Sequence, residues 1–340
     1  MSDFSLSIQA WYRQNKRDLP WRNTSDPYFI WLSEIIMQQT RVEQGRGYYL
    51  KFRNHYPTVQ DLATAEEQEV LNDWQGLGYY SRARNLHFSA KYICDDLNGV
   101  FPPTFEEILT LKGVGQYTAA AISSFAYNEC QAVVDGNVYR LLSRVFDIDL
   151  AIDSTEGKKY FQQLAQELID CTSPGEHNQA IMEVGAMICK PSNPNCEECP
   201  LQEKCLAFSN NTIPLRPVKT KKIKVRKRYF HFLIYKNDGQ LLIEQRIEKD
   251  IWKNMYQFPL IETKELVTKE DAQVWSNQKL ESKQIKHILS HQRIIAIFHH
   301  FDSIPEFLKK KYTLIKIDEI QDYPLPRIID KYLNDFSELF

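Results

Sequence analysis

The chain reads as mainly α, a long helical body followed by a small α/β domain. Three observations carry that prediction. Apolar residues recur at three- and four-residue spacing through most of residues 33–170. A segment with Pro214, Pro217 and seven positive charges between Lys219 and Arg228 interrupts the pattern. After it, runs rich in Ile, Phe and Tyr alternate around short turns.

The helical reading covers Ser33 to about Tyr49, then 60–74, 81–97, 104–111, 116–126, 138–146 and 157–170. Thr104 and Glu107 form a capping-box pattern just after Pro102 and Pro103, which marks where one helix starts. The domain boundaries that follow are 1–206 for the helical body, 207–228 for a basic linker that cannot collapse on itself, and 229–340 for the tail domain. In the tail, RYFHFLIY and QLLIEQR flank a KNDG turn as a hairpin, and RIIAIFHHF and YTLIKIDEI are further strands.

Composition excludes several classes. With 340 residues, 43% hydrophobic and 25% charged, the chain can bury two real cores. Its apolar runs are far shorter than the roughly 20 residues of a membrane helix, and its first residues lack the order of a signal peptide. A cytoplasmic protein is expected. The net charge of −2 does not advertise nucleic-acid binding, but its distribution is uneven. Residues 1–205 hold 18 Lys and Arg against 27 Asp and Glu, whereas 206–228 hold 8 against none.

Four features carry chemistry. Of seven cysteines, Cys189, Cys196, Cys199 and Cys205 are bunched at CX6CX2CX5C, a metal-site pattern that suits a zinc ion or an iron–sulfur cluster. Cys94, Cys130 and Cys171 are scattered and read as small buried hydrophobes. LKGVGQYTAAAI places Gly113 and Gly115 between two helices, either as a tight turn with both at positive φ or as an anion site of backbone amides at a helix N-terminus. AVVDGNV sets one carboxylate, Asp135, at the end of an apolar run with no Lys or Arg within four residues. Such a charge either caps the helix that follows or meets its countercharge in a substrate.

The motifs WLSEIIMQQT, LPWR, GLGYYSRARNL, VVDGNV and NQAIMEVGAMIC match one family, and together they closely resemble the MutY-type adenine DNA glycosylases of the endonuclease III superfamily. The resemblance implies a two-lobed helical core with a helix-hairpin-helix at about 104–126. It also implies a 4Fe–4S cluster on Cys189, Cys196, Cys199 and Cys205 in the loop 189–205, and duplex DNA as the partner of a monomer. IWKNMYQFPLIE is similar to the Nudix-like C-terminal domain of that family. No REXXEE helix occurs and Gly239 is the last glycine, so pyrophosphohydrolase chemistry is not expected.

By that resemblance Glu34 is the acid that protonates adenine, at N7, and Asp135 stabilises, or bonds to, the oxocarbenium-like sugar. To stay protonated near neutrality a Glu must rise from about 4.3 towards 7, near 3.7 kcal/mol at about 1.36 kcal/mol per unit, and a greasy helix face supplies such desolvation. Neutralising Asp135 should slow excision at least about 100- to 1000-fold. Tyr117 stands where the bifunctional lyases of the superfamily carry their nucleophilic lysine, which favours simple hydrolysis. Asn137 and Tyr117 match positions near the sugar. Trp21, Arg22 and Gln179 match the adenine pocket; their bland readings are a core aromatic, a surface cation and a helix-surface amide.

Gln39, Thr40, Leu77 and Tyr79 match DNA-contacting and wedge positions, and Arg82 and Arg84 face either phosphate or solvent. Gly113 and Gly115 would bind backbone phosphate. Leu289, Ser290 and His291 match a Phe-Ser-His loop that reads 8-oxoguanine, with Leu in place of the Phe. The implied activity is removal of adenine opposite 8-oxoguanine or guanine. The rivals are an endonuclease III-like lyase acting on oxidised pyrimidines and a lesion-binding protein without chemistry.

Overall fold

The computed structural model describes residues 2–220, 225–237, 239–267, 282–289, 291–301 and 312–335. The chain divides into two compact units, one built from 1–64 and 85–221, the other from 65–84 and 222–340. Residues 65–84, expected in the helical domain, pack within the second unit instead.

The first unit is helical. Its elements are α1 (Asp3–Asn15), α2 (Pro27–Met37), α3 (Val42–His55), α4 (Val59–Thr64), α7 (Phe105–Leu109), α8 (Gln116–Tyr127), α9 (Gly136–Val145), α10 (Thr155–Leu168), α11 (Pro174–Met187) and the short α12 (Leu206–Ser209). Helix α5 (Glu67–Asp73) belongs to the second unit, and α6 (Ser81–Asp95) contains the boundary. The run expected from Ser33 to Tyr49 is two helices, because Gln39 takes a left-handed φ of 55° and turns the chain between α2 and α3. Helices α1 and α11 were not among the periodic runs. They pack together along a seam that carries a buried polar pair, Ser5 Oγ to His177 Nδ1 at 2.8 Å, and Gln9 Nε2 donates to Asp170 Oδ2, just before α11, at 3.1 Å. Polar residues on that contact face blur the apolar period of both helices.

The hairpin between α7 and α8 differs from the expected turn in one respect. Gly113 has φ 84°, and a Cβ there would stand 2.8 Å from Asn85, so only glycine fits. Gly115, by contrast, has φ −106° and serves as the N-cap of α8. The scattered cysteines also differ from expectation. Cys130 and Cys171 form a disulfide with Cα atoms 4.9 Å apart, and Cys94 is only partly buried.

Much of the segment expected to be a linker is built into the two units. Ile152 N donates to Val218 O at 3.1 Å, Thr220 N to Asp153 Oδ1 at 3.0 Å, and Arg216 pairs with Asp147 at 2.9 Å. Arg226 to Arg228 already belong to a strand.

The second unit is a mixed sheet of β1 (Arg226–Asn237), β2 (Gln240–Gln245), β3 (Tyr256–Gln257), β4 (Leu260–Thr263), β5 (Ser282–Ile288), β6 (Gln292–Phe301) and β7 (Thr313–Lys316). The order among the described strands is β3-β2-β1-β6-β5, with β4 also on β1 and β7 on β2. β1 and β6 run parallel with Phe230 opposite Ala296. Phe230, Phe232, Leu233 and Ile234 are all buried, and so is His231 among them, as in a strand covered on both faces. The C-terminal helix Arg327–Asp335 lays Ile328, Ile329 and Tyr332 into this core, with Tyr332 stacked on Phe298 at 3.8 Å.

Candidate active site

Two helix starts place the two carboxylates. Asp26 caps α2, accepting from Tyr28 N at 2.9 Å, and Pro27 presets the first turn. Two turns on, Glu34 is 8% exposed among buried Ile30, Trp31, Ile35 and Ile36. Burial pushes its carboxyl up to about 7, and the charge of Asp135 adds to the shift. A hydrogen bond from Tyr117 and the charge of Arg22 oppose it. Tyr117 is partly buried, and desolvation together with the nearby charges of Glu34 and Asp135 raises its hydroxyl well above the ordinary value, so it stays protonated and able to donate.

Asp135 is the N-cap of α9. Its Oδ1 accepts from the backbone N of Asn137 and Val138, both at 2.8 Å, and its Oδ2 from Asn137 Nδ2 at 2.7 Å. Burial raises its carboxyl, while these donors and the charge of Arg140 draw it down. Capping and charge placement are therefore one arrangement. Behind it, Arg140 donates to Asn137 Oδ1 at 2.9 Å, to Gly185 O at 2.7 Å and to Cys189 O at 2.6 Å, which ties the cap to α11 and to the cysteine loop. Gly185 makes this approach possible, since a Cβ there would stand 2.8 Å from Asn137 Cβ.

The three residues assigned to an adenine pocket also meet partners. Trp21 packs edge-on against Tyr49 at 5.4 Å. Arg22 is a fork on Glu183, at 2.9 and 2.6 Å, and Gln179 Oε1 accepts from the hydroxyl of Tyr12. Arg17 forks onto the same Glu183 at 2.8 and 2.7 Å and adds its backbone N at 3.0 Å. Glu183 is 1% exposed, yet these donors hold it down at about 2 despite burial. Arg17, Glu183, Arg140 and Tyr12 were missed from sequence. Glu183 lay inside the quoted motif NQAIMEVGAMIC, four residues and so one helical turn beyond Gln179.

The four bunched cysteines line one small cavity together with Leu141, Arg144 and Ile188. None of them is in a disulfide, and Arg144 Nη1 lies 3.4 Å from Cys189 Sγ while also donating to Lys190 O at 2.7 Å. Among the described residues no three such side chains stand close enough to hold a single metal ion. Four cysteines lining one cavity, with a cation beside them, fit a sulfur-ligated iron cluster.

In the second unit a cavity of about 310 Å³ is lined by Leu77, Tyr79, Trp252, Asp250, Leu289 and His291, among others. It brings together GLGYY and residues just after β5, two stretches far apart in the chain. Tyr79 is 45% exposed with φ 48°, whereas Leu77 is buried at 7%. Ser290 lies outside the described residues. Arg82 and Arg84 both meet backbone carbonyls of the second unit. Arg82 is buried, donates to Leu77 O and Gly78 O at 3.3 and 3.1 Å, and packs over Trp74 at 5.0 Å; Arg84 donates to Lys253 O at 2.8 Å. In the first unit Gln39 is exposed and Thr40 half-buried, and Lys112 of the hairpin lies 4.0 Å over the Phe88 ring.

Comparison with known proteins agrees with this layout. Residues 32–171 match the HhH-GPD superfamily of base excision DNA repair proteins, 189–205 the iron–sulfur binding domain of endonuclease III, and 230–335 the NUDIX domain. An adenine DNA glycosylase of Buchnera aphidicola subsp. Baizongia pistaciae is 35% identical over 85% of this chain and 83% of its own length. That of the subspecies Acyrthosiphon pisum is 32% identical over 98% of both. The human adenine DNA glycosylase is 44% identical over 60% of this chain and 39% of its own. Among solved structures, a thermostable thymine-DNA glycosylase superposes with a TM-score of 0.57 at 30% identity, covering 61% of this chain and 95% of that one. An endonuclease III in a DNA complex shares the fold at a TM-score of 0.53 and 20% identity, over 61% of this chain and 94% of its own. With a helical repair core, a 4Fe–4S loop and a NUDIX domain along one chain, and relatives matched over nearly its whole length, this protein belongs to the adenine DNA glycosylases.

Proposed function

We propose that the protein is a monofunctional glycosylase that hydrolyses the bond between adenine and its sugar where adenine faces 8-oxoguanine or guanine in duplex DNA, working as a monomer in the cytoplasm. The observation that carries this reading is Glu34, a carboxyl held near 7 beside an aspartate whose two oxygens are both hydrogen-bonded. At neutral pH such a Glu is protonated about half the time, the condition an acid catalyst needs.

The base is first flipped out of the stack, since a stacked adenine cannot be reached. Exposed Tyr79, with Leu77 behind it, is the candidate to fill the gap, and Gly113, Gly115, Gln39 and Thr40 supply contacts to the strand. Trp21, Arg22 and Gln179 receive the adenine. Glu34 gives its proton to N7, and the leaving base departs neutral. Tyr117 then stabilises the carboxylate that remains, because its hydroxyl donates to it. The sugar becomes cationic as the bond breaks, and Asp135 supplies the fixed negative charge. Both Asp135 oxygens are engaged by donors, which favours electrostatic stabilisation over bond formation. Asn137 holds that geometry. Tyr117 in the place of an amine favours hydrolysis without strand cleavage.

The cavity that unites Leu77, Tyr79, Leu289 and His291 supports the second half of the reading, recognition of the base opposite adenine. The iron–sulfur loop would be held by Cys189, Cys196, Cys199 and Cys205, and the cluster supplies structural cross-linking when bound; the Arg140 bonds connect that loop to the Asp135 cap.

The test is to incubate the protein with a duplex holding adenine opposite 8-oxoguanine and to measure free adenine and strand breaks before and after alkali. Free adenine with breaks only after alkali is expected. Breaks without alkali would establish a lyase instead, and binding with no adenine released would leave a lesion-binding protein.

A further inference from the structure

Tyr12 touches two of the three residues assigned to the adenine pocket. It sits on α1, is 3% exposed, and stands on the seam with α11. Its hydroxyl donates to Gln179 Oε1, and its ring carries the Arg22 guanidinium at 5.5 Å and the Lys16 ammonium at 5.6 Å. Gln179 Oε1 is the one acceptor that this buried hydroxyl meets among the described residues, so turning the amide round would strand the phenol's proton. Of the two ways a hydroxyl can meet a primary amide, the pair is therefore biased to O–H against the carbonyl.

That bias has a chemical consequence. The two halves of a Gln amide have nearly the same shape and opposite hydrogen-bonding sense. Gln179 Nε2 has no acceptor among the described residues, so the single bond from Tyr12 sets the polarity of the whole group. Arg22 has only donors to offer, and Glu183 is already taken by five hydrogen bonds from Arg17 and Arg22.

We propose that Tyr12 is a positioning residue for base specificity: by holding Gln179 Oε1 it leaves Nε2 as the group offered to the base, so the pocket reads a ring-nitrogen acceptor. Adenine has that acceptor at N1. A 6-oxopurine of the same outline, hypoxanthine, carries N1–H and would set donor against donor. The inference rests on the adenine-pocket reading above and adds to it the residue that orients the Gln179 amide.

The test is single-turnover excision from duplexes with adenine or hypoxanthine opposite 8-oxoguanine, for wild type, Tyr12→Phe, Gln179→Leu and the double variant, with melting temperatures for each. Tyr12→Phe keeps the ring and both cation contacts. It should narrow the adenine-to-hypoxanthine ratio roughly five- to tenfold, the weight of one ordinary hydrogen bond. The same substitution should leave the ratio unchanged in the Gln179→Leu background, which a loss of packing would not do. Should Tyr12→Phe fold poorly, Gln179→Glu serves with α1 intact: an acceptor-only side chain should shift preference towards hypoxanthine. An unchanged ratio in Tyr12→Phe, or a change that persists without the amide, overturns the inference while leaving the proposed function standing. A wild type that releases neither base overturns both.

Discussion

Glu34 on α2 and Glu183 on α11 are the same residue type at nearly the same depth, 8% and 1% exposed, yet the first is pushed up to about 7 and the second held down at about 2. Burial penalises both. The difference is what surrounds them. Glu183 receives two guanidinium forks and a backbone N–H, whereas Glu34 has one phenol and, close by, the like charge of Asp135. Depth therefore does not assign a role to a carboxylate. Partners leave one carboxyl able to hold a proton near neutral pH and keep the other an anion.

The largest effect expected from breaking this comparison is on chemistry. Glu34→Gln removes the proposed proton donor and should slow adenine excision by about 10²- to 10⁴-fold in single-turnover assays. The same variant should be more stable than wild type at pH 8. A carboxyl whose folded value is raised keeps its full stability below its unfolded value and loses it as pH climbs to about 7. At about 1.36 kcal/mol per unit the relief is on the order of 3 kcal/mol. Unfolding by urea at pH 8 and again near pH 4 checks it, and the gain should vanish at the lower pH.

Glu183→Gln moves the other way. It leaves Arg17 and Arg22 facing a neutral amide and should destabilise the fold by about 3 kcal/mol, the low end for breaking a buried pair because Arg17 is a third exposed. Wild-type Glu183 has a lowered carboxyl, so its contribution is present above the ordinary Glu value and fades as pH falls towards about 2. Chemical denaturation at pH 7 and pH 3 sharpens the contrast with Glu34.

The smallest effect is a slope. If Glu34 acts as the acid, the wild-type excision rate should fall about tenfold per unit above pH 7 and level off below it. A rate that is flat from pH 6 to pH 9 would remove Glu34 from that role.

Several of these features are legible in the amino-acid sequence. Thr104 and Glu107 form the capping box that their spacing announces, with Thr104 Oγ1 accepting from Glu107 N at 3.3 Å. The strands around the KNDG turn are β1 and β2. Glu34 stands out only through the words around it, since a lone Glu on an apolar helix has no local signature. Arg140 and Arg17 have none at all. They act on residues 49 and 166 positions away in the chain, distances over which spacing rules are silent. The solvated-face alternative for Arg82 fails for a related reason: its neighbours suggest an exposed helix face, but the turn 77–78 folds back and offers two carbonyls to it.

By itself the sequence determined what is local or strongly patterned: the helical body, the sheet after it, the cysteine spacing, and an aspartate placed to cap a helix. Only the tertiary structure decided how deep Glu34 lies, which carboxylate the arginines neutralise, that Cys130 meets Cys171, and that residues 65–84 pack with the C-terminal unit. The reason is physical. Capping and periodicity depend on neighbours within one or two turns, whereas desolvation and charge pairing depend on whatever the folded chain brings within a few ångströms.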